Sequence, residues 1–83
     1  MTERAGRSVT VYTRDGCHLC AEAIARASRI AADTGSAFAT VDVDADPEDQ
    51  AEYGDLVPVI MIDGVVHGYY HVDAERLRAA LTA

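Results

Sequence analysis

Cys17, His18, Leu19 and Cys20 put two thiols three residues apart, where the alternating run Val9-Thr10-Val11-Tyr12-Thr13 gives way to a segment of helical period. Residues three apart share one face of a helix. That spacing brings their Cα atoms within the roughly 4.4 to 6.8 Å that an unstrained disulfide requires, so the pair can open and close with little backbone movement. A helix start also carries unpaired N–H groups and the positive end of the dipole, which favour thiolate over thiol at Cys17. Thiolate is the attacking species in thiol–disulfide exchange, so that is the chemistry this spacing predicts.

Metal ligation is the competing chemistry. Cys17 and Cys20 followed by His67 and His71 mimic a Cys₂His₂ set, but the intervening segment is far longer than the roughly 12 to 15 residues of a zinc finger. If residues 67 to 71 stay extended, four steps of about 3.4 Å hold the two His roughly 13 Å apart. The reading is therefore no metal, with a metal or iron–sulfur carrier using the same two cysteines, across a dimer, as the alternative. Asp42, Asp44 and Asp46 are spaced like calcium ligands, but no Gly or distal Glu stands at loop spacing, and they read as a solvated strand face.

The thiols need a scaffold, and the chain supplies one element at a time. The first strand is expected at Ser8–Thr13. A helix is expected from Cys17 to Asp33, because Cys20, Ala23, Ile24, Ala27, Ile30 and Ala31 recur at helical spacing, with Gly35 as its stop. Phe38 to Asp44 alternates again and predicts a second strand in which Val41 and Val43 share a face. Asp46 as N-cap and Pro47 at the first helical position open a second helix that Gly54 ends. Val57 to Ile62 predicts the third strand, the pair Asp63-Gly64 a type I′ hairpin turn, and Val65 to Tyr69 the fourth strand. A last helix follows Asp73 as N-cap and runs through Leu77 and Leu81. The order is βαβαββα: an α/β four-stranded mixed sheet with helices on both faces, its first two strands parallel across a helical crossover and its last two antiparallel. Sites in such sheets gather at the carboxyl ends of strands, where the Cys pair falls.

Composition narrows the function classes. Eighty-three residues, 49% of them apolar, allow one domain. Residues 1 to 7 are polar and expected to be a flexible N-terminus, with residues 8–83 as the single domain. A net charge of −7, with no Lys, argues against nucleic acid and against an anionic membrane surface. No run approaches the roughly 18 to 20 apolar residues of a membrane span, and residues 1 to 7 lack the apolar core of a secretory signal, so the expected location is cytoplasmic. In a reducing compartment a close Cys pair is more often catalytic or metal-binding than structural. The four Tyr read as packing residues with their hydroxyls outward.

The element order, the stretch from Tyr12 to Ala23 around Cys17-His18-Leu19-Cys20, and Val57-Pro58-Val59 opening the third strand together resemble small bacterial glutaredoxin-like proteins of the thioredoxin superfamily, over residues 8 to 81. The resemblance implies a glutaredoxin-type thioredoxin-like fold and a dithiol–disulfide oxidoreductase. It implies that Cys17 attacks the target disulfide and Cys20 resolves the mixed disulfide, and that Pro58 is a cis proline whose neighbour Val57 offers its backbone to the substrate. Arg14 matches a basic position that could steer a carboxylate or support the thiolate. His18 could stabilise the Cys17 thiolate or hand a proton to a leaving thiol, or simply be a solvated first-turn side chain. Asp73 is an N-cap first and a candidate contact for a substrate amine second.

Two departures from the family pattern bear on the partner. His18 stands where Pro often follows the first Cys. Glutathione-binding members carry a Gly-Gly turn before the acidic residue that opens the last helix, whereas this chain reads Gly68-Tyr69-Tyr70-His71-Val72-Asp73. The expected partner is thus a disulfide-bearing protein, or a low-molecular-weight thiol other than glutathione. The expected protein is a monomer, with no cofactor beyond an external thiol as electron donor.

Overall fold

Alternation along the first strand decides which side of the sheet each helix covers. In the computed structural model, which describes residues 7–82, β1 (Ser8–Thr13) buries Val9 and Val11 completely on one face. Against that face pack the apolar stripes of α1 (His18–Asp33) and α3 (Ala74–Thr82). Ala23, Ala27, Ile30, Ala31, Leu77 and Leu81 join Val9, Val11, Ile60 and Val72 in one buried cluster. Tyr12 points to the opposite face, as strand geometry requires. There its ring meets Tyr53 of α2 (Pro47–Tyr53) edge-on, with ring centroids 5.0 Å apart. Helices therefore cover both faces, as the βαβαββα pattern predicts.

The sheet order is β2-β1-β3-β4, with β2 (Ala37–Asp42), β3 (Val59–Ile62) and β4 (Val65–Tyr69). β1 runs parallel to β2 and antiparallel to β3, which pairs antiparallel with β4. The Asp63-Gly64 turn has positive φ at both residues, 52° and 82°, as a type I′ hairpin demands.

The structure departs from the sequence expectation at the end of β2, at the start of β3 and in the register of β4. β2 stops at Asp42, and residues Val43–Ala45 form a 3-10 turn. The Asp42 Oδ1 accepts the Asp44 N–H at 2.9 Å, a local bond that competes with continuing the ladder. Val43 consequently turns fully inward rather than sharing a strand face with Val41. β3 begins at Val59, after Pro58, which has no N–H to give a ladder. In β4 the register jumps from Ile60 opposite Gly68 to Met61 opposite Val66, leaving His67 as the extra residue of a bulge.

Of the stretch expected to be flexible, residues 1–6 lie outside the described residues. Arg7 is held: its carbonyl accepts the Ala37 N–H at 2.9 Å and its guanidinium pairs with Asp63 at 3.1 Å. No helix among the described residues is long and apolar enough to cross a membrane.

Candidate active site

The loop from Arg14 to Gly16 delivers the chain from the end of β1 to the start of α1. Gly16 sits at φ +77°, a conformation that a side chain would strain. Cys17 then takes the N-cap position with extended backbone, φ −91° and ψ 109°. Its N–H returns to the Arg14 carbonyl at 3.3 Å, closing the turn. The Cys17 Sγ accepts the Cys20 N–H at 3.1 Å, so sulfur fills the place that an Asp or Ser oxygen usually takes at a helix start. No acidic residue stands in the first turn of α1, which leaves the dipole end to the sulfur.

Cys17 and Cys20 form a disulfide, with Cα atoms 5.2 Å apart. Their environments differ sharply. Cys20 is 1% exposed, beneath the helix among the core residues, whereas Cys17 is partly exposed. It opens onto a cleft of about 620 Å³ that is also lined by Arg14, Asp15, His18 and Asp42. An arriving sulfur can therefore reach Cys17 from solvent, whereas Cys20, which also borders the cleft, is almost fully buried.

Arg14 does not extend freely into that cleft. Its Nε and Nη2 donate to the two oxygens of Asp44 at 3.0 and 2.9 Å, a bidentate pair, and its Nη1 donates to the Gly54 carbonyl at 3.1 Å. Gln50 donates to Asp44 Oδ1 at 2.7 Å. Gly54 is buried, and a Cβ there would lie 2.5 Å from the Gln50 carbonyl oxygen, so only glycine presents this carbonyl to Arg14 without displacing the helix end. The Asp44 carboxyl is held below its usual range by the hydrogen bond from Arg14 and then by that from Gln50. Arg14 is raised in turn, first by the Asp44 hydrogen bond and charge, with Asp55 and Asp42 adding to the field. The loop carrying Cys17 is thereby tied to the 3-10 turn and to the end of α2.

The three aspartates that read as a solvated strand face have separate tasks. Asp42 caps the 3-10 turn, Asp44 holds Arg14, and Asp46 caps α2 by accepting the Glu48 N–H at 2.8 Å. The alternation of sequence around Val41 and Val43 hid this, because an Asp cap and a strand Asp look alike until the chain turns.

The Val57-Pro58 peptide is cis. Tyr12 pairs with Val59, and continuing that antiparallel register sets Pro58 opposite Thr13, where β1 leads into the Cys17 loop. The Pro58 carbonyl accepts the Tyr70 N–H at 2.7 Å, while neither backbone group of Val57 bonds to the described backbone. Tyr69 and Tyr70 are 41% and 45% exposed, and Leu19 is 50% exposed beside the cysteines; Leu19 and Tyr70 line one shallow hollow.

Asp73 lies apart from the Cys17 cleft. It caps α3, its Oδ1 accepting the Arg76 N–H at 3.1 Å. With His67, His71 and Arg76 it lines a second cavity of about 250 Å³ between β4 and α3. The bulged His67 has its Nε2 buried there without a hydrogen-bond partner, and burial, with Arg76 nearby, lowers its basicity against the opposing pull of Asp73. No three His, Cys, Asp or Glu side chains among the described residues converge as a metal site.

Residues 8–82 match the model of the glutaredoxin-like domain family (DUF836). An uncharacterized protein of Mycobacterium tuberculosis is 37% identical over 76 residues, covering 86% of this chain and 78% of its own length. Among solved structures, the structural-genomics target protein XcR50 from X. campestris is 37% identical with a TM-score of 0.71, covering 88% of this chain and 93% of that one. Protein Ne2328 of Nitrosomonas europaea is 27% identical with a TM-score of 0.80 and 95% of each chain covered. Fasciola hepatica thioredoxin, at 22% identity and a TM-score of 0.62 over 95% of this chain and 81% of that one, shares the fold.

Proposed function

The chain belongs to the glutaredoxin-like domain family, and from that premise we propose that it is a dithiol–disulfide oxidoreductase in which Cys17 attacks and Cys20 resolves. The observation that carries the reading is the asymmetry of the pair: a partly exposed sulfur at a helix start with no first-turn acid, bonded to a sulfur buried one turn below.

In the reduced protein the helix start favours loss of the Cys17 proton. The Cys17 thiolate bonds to one sulfur of a target disulfide, the target S–S bond breaks, and the other target sulfur leaves as a thiolate that takes up a proton. Cys20 then gives up its proton and attacks the Cys17 sulfur. The mixed disulfide breaks, the second target thiol departs, and the Cys17–Cys20 disulfide closes. Two electrons pass from the protein dithiol to the target, and an external thiol system restores the dithiol. His18, exposed on the first turn beside Cys17, would exchange a proton with the leaving thiolate. Val57, with unused backbone groups beside Pro58, suits an extended segment of a protein substrate that pairs through its main chain. Tyr69 and Tyr70, where a Gly-Gly turn would admit glutathione, favour a protein disulfide over the tripeptide.

Reduction of a peptide disulfide, driven by dithiothreitol and corrected for the uncatalysed rate, tests the reading. Catalysis by the parent protein and its loss by several orders of magnitude in Cys17→Ser are expected. Retained turnover in Cys17→Ser would overturn it.

A further inference from the structure

Among the described residues, one Arg and two Asp line the cleft at Cys17, and the Arg is already paired. Among the described residues Arg14 is the only Arg or Lys lining it, and both of its Asp44 contacts are charge-paired at 3.0 Å or less. Asp15 and Asp42 line the same cleft, and no cation among the described residues forms a salt bridge with either. The capping partner of Asp42 is a neutral backbone N–H, which brings it no compensating charge. What faces an arriving disulfide is therefore two unmatched carboxylates around Cys17, on a chain whose net charge is −7. A cleft lined by one sign of charge concentrates ligands of the other sign and repels those of its own. This inference rests on the oxidoreductase reading and adds the substrate class to it.

We propose that the Cys17 cleft selects polypeptide disulfides flanked by Lys or Arg, and that the Arg14–Asp44 pair contributes to this preference by withdrawing the one Arg that lines the cleft among the described residues. The glutamyl and glycyl carboxylates of glutathione would meet Asp15 and Asp42 with no unpaired guanidinium among the described residues lining the cleft. A lysine or arginine next to the target cystine would instead find two carboxylates. A polypeptide, rather than a small cationic disulfide, is the occupant because the exposed Leu19 and Tyr70 and the unpaired Val57 backbone extend the surface well beyond the reach of a single disulfide.

The test uses two synthetic peptides with one intramolecular disulfide each, identical except for Lys or Glu beside both cysteines. Pre-reduced protein is mixed with each in the absence of other thiol, so that the protein dithiol supplies both electrons. Each rate constant is divided by that peptide's rate with dithiothreitol, which removes the effect of the charges on the disulfide itself. Working at about pH 8 leaves imidazoles largely neutral. At about 0.01 M ionic strength, where charges act over roughly 30 Å, the normalised ratio of Lys to Glu peptide is expected to be about five- to tenfold. At about 1 M salt, with a screening length of roughly 3 Å, it should fall below about twofold.

Two variants assign the effect. Asp15→Asn with Asp42→Asn, which retains the capping oxygen of residue 42, is expected to lower the ratio about threefold. Asp44→Asn, which leaves Arg14 uncompensated, should slow the Lys peptide and speed the Glu peptide. A ratio of one or less in the parent protein, a ratio indifferent to salt, or variants that change both peptides equally would overturn the proposal. If neither peptide is reduced, the oxidoreductase reading itself fails, and this inference with it.

Discussion

Two helices of this protein begin just after strand β1 or β2 has ended, and they use their N-termini in opposite ways. α2 saturates its own start: Asp46 caps it through the Glu48 N–H, Pro47 removes one orphan N–H, and Glu48 and Asp49 place two more carboxylates against the dipole. α1 has none of these. Its cap is the sulfur of Cys17, its first turn holds no acid, and its orphan N–H groups are left to a group that can ionise. The same local field serves stability in one helix and reactivity in the other, and what separates them is which atom stands at the cap.

Moving a carboxylate into the reactive start breaks the contrast with the largest effect. His18→Asp should raise the Cys17 thiol by up to about one pH unit and slow its alkylation by iodoacetamide near neutral pH about three- to tenfold. The same change should stabilise the fold by about 0.3 to 1 kcal/mol, as an acid at a helix start does. His18→Asn, which removes the imidazole without adding charge, should fall between the parent and the Asp variant. The opposite manipulation belongs to α2. Asp46→Ala should cost about 0.5 to 2 kcal/mol of stability, several degrees of melting temperature, and leave the alkylation rate of Cys17 unchanged.

The smallest effect separates the Arg14–Asp44 pair from both helix starts. The folded Asp44 carboxyl ionises below its unfolded value, so its contribution to stability is fully present above the unfolded carboxylate range and is lost as pH falls through the folded value. Parent protein should therefore lose stability more steeply than Asp44→Asn as pH drops from about 5 toward 3. Parallel acid limbs in urea unfolding would show that the Arg14–Asp44 pair contributes nothing to the fold.

Much of this was legible in the chain because the informative residues act locally. Cys17 and Cys20 on one helix turn, Asp46-Pro47 opening α2, Asp63-Gly64 at a hairpin and the alternation of Val9 and Val11 each determine their conformation within a few residues. Helices on both faces followed from the βαβαββα order and its helical crossover. What stayed hidden depends on partners distant in sequence. Arg14 finds Asp44 thirty residues on and the Gly54 carbonyl forty residues on, and no spacing rule joins them. The early end of β2 turned on Asp42 capping its own chain. The bulge at His67 arises from the register between β3 and β4, which alternation alone does not specify. Asp73 was readable as a cap, but its separation from the Cys17 cleft emerged only once β4 and α3 were placed together.

The most direct test of the central assignment removes the resolving thiol and looks for the intermediate. Reduced Cys20→Ser protein, mixed with a peptide disulfide, should accumulate a mixed disulfide carrying one peptide chain on Cys17 and release one equivalent of peptide thiol, both visible by mass spectrometry. Cys17→Ser should form adduct at Cys20 at least tenfold more slowly, since Cys20 is buried beneath the helix start. Adducts forming equally fast at both cysteines, or none on Cys17, would contradict the account.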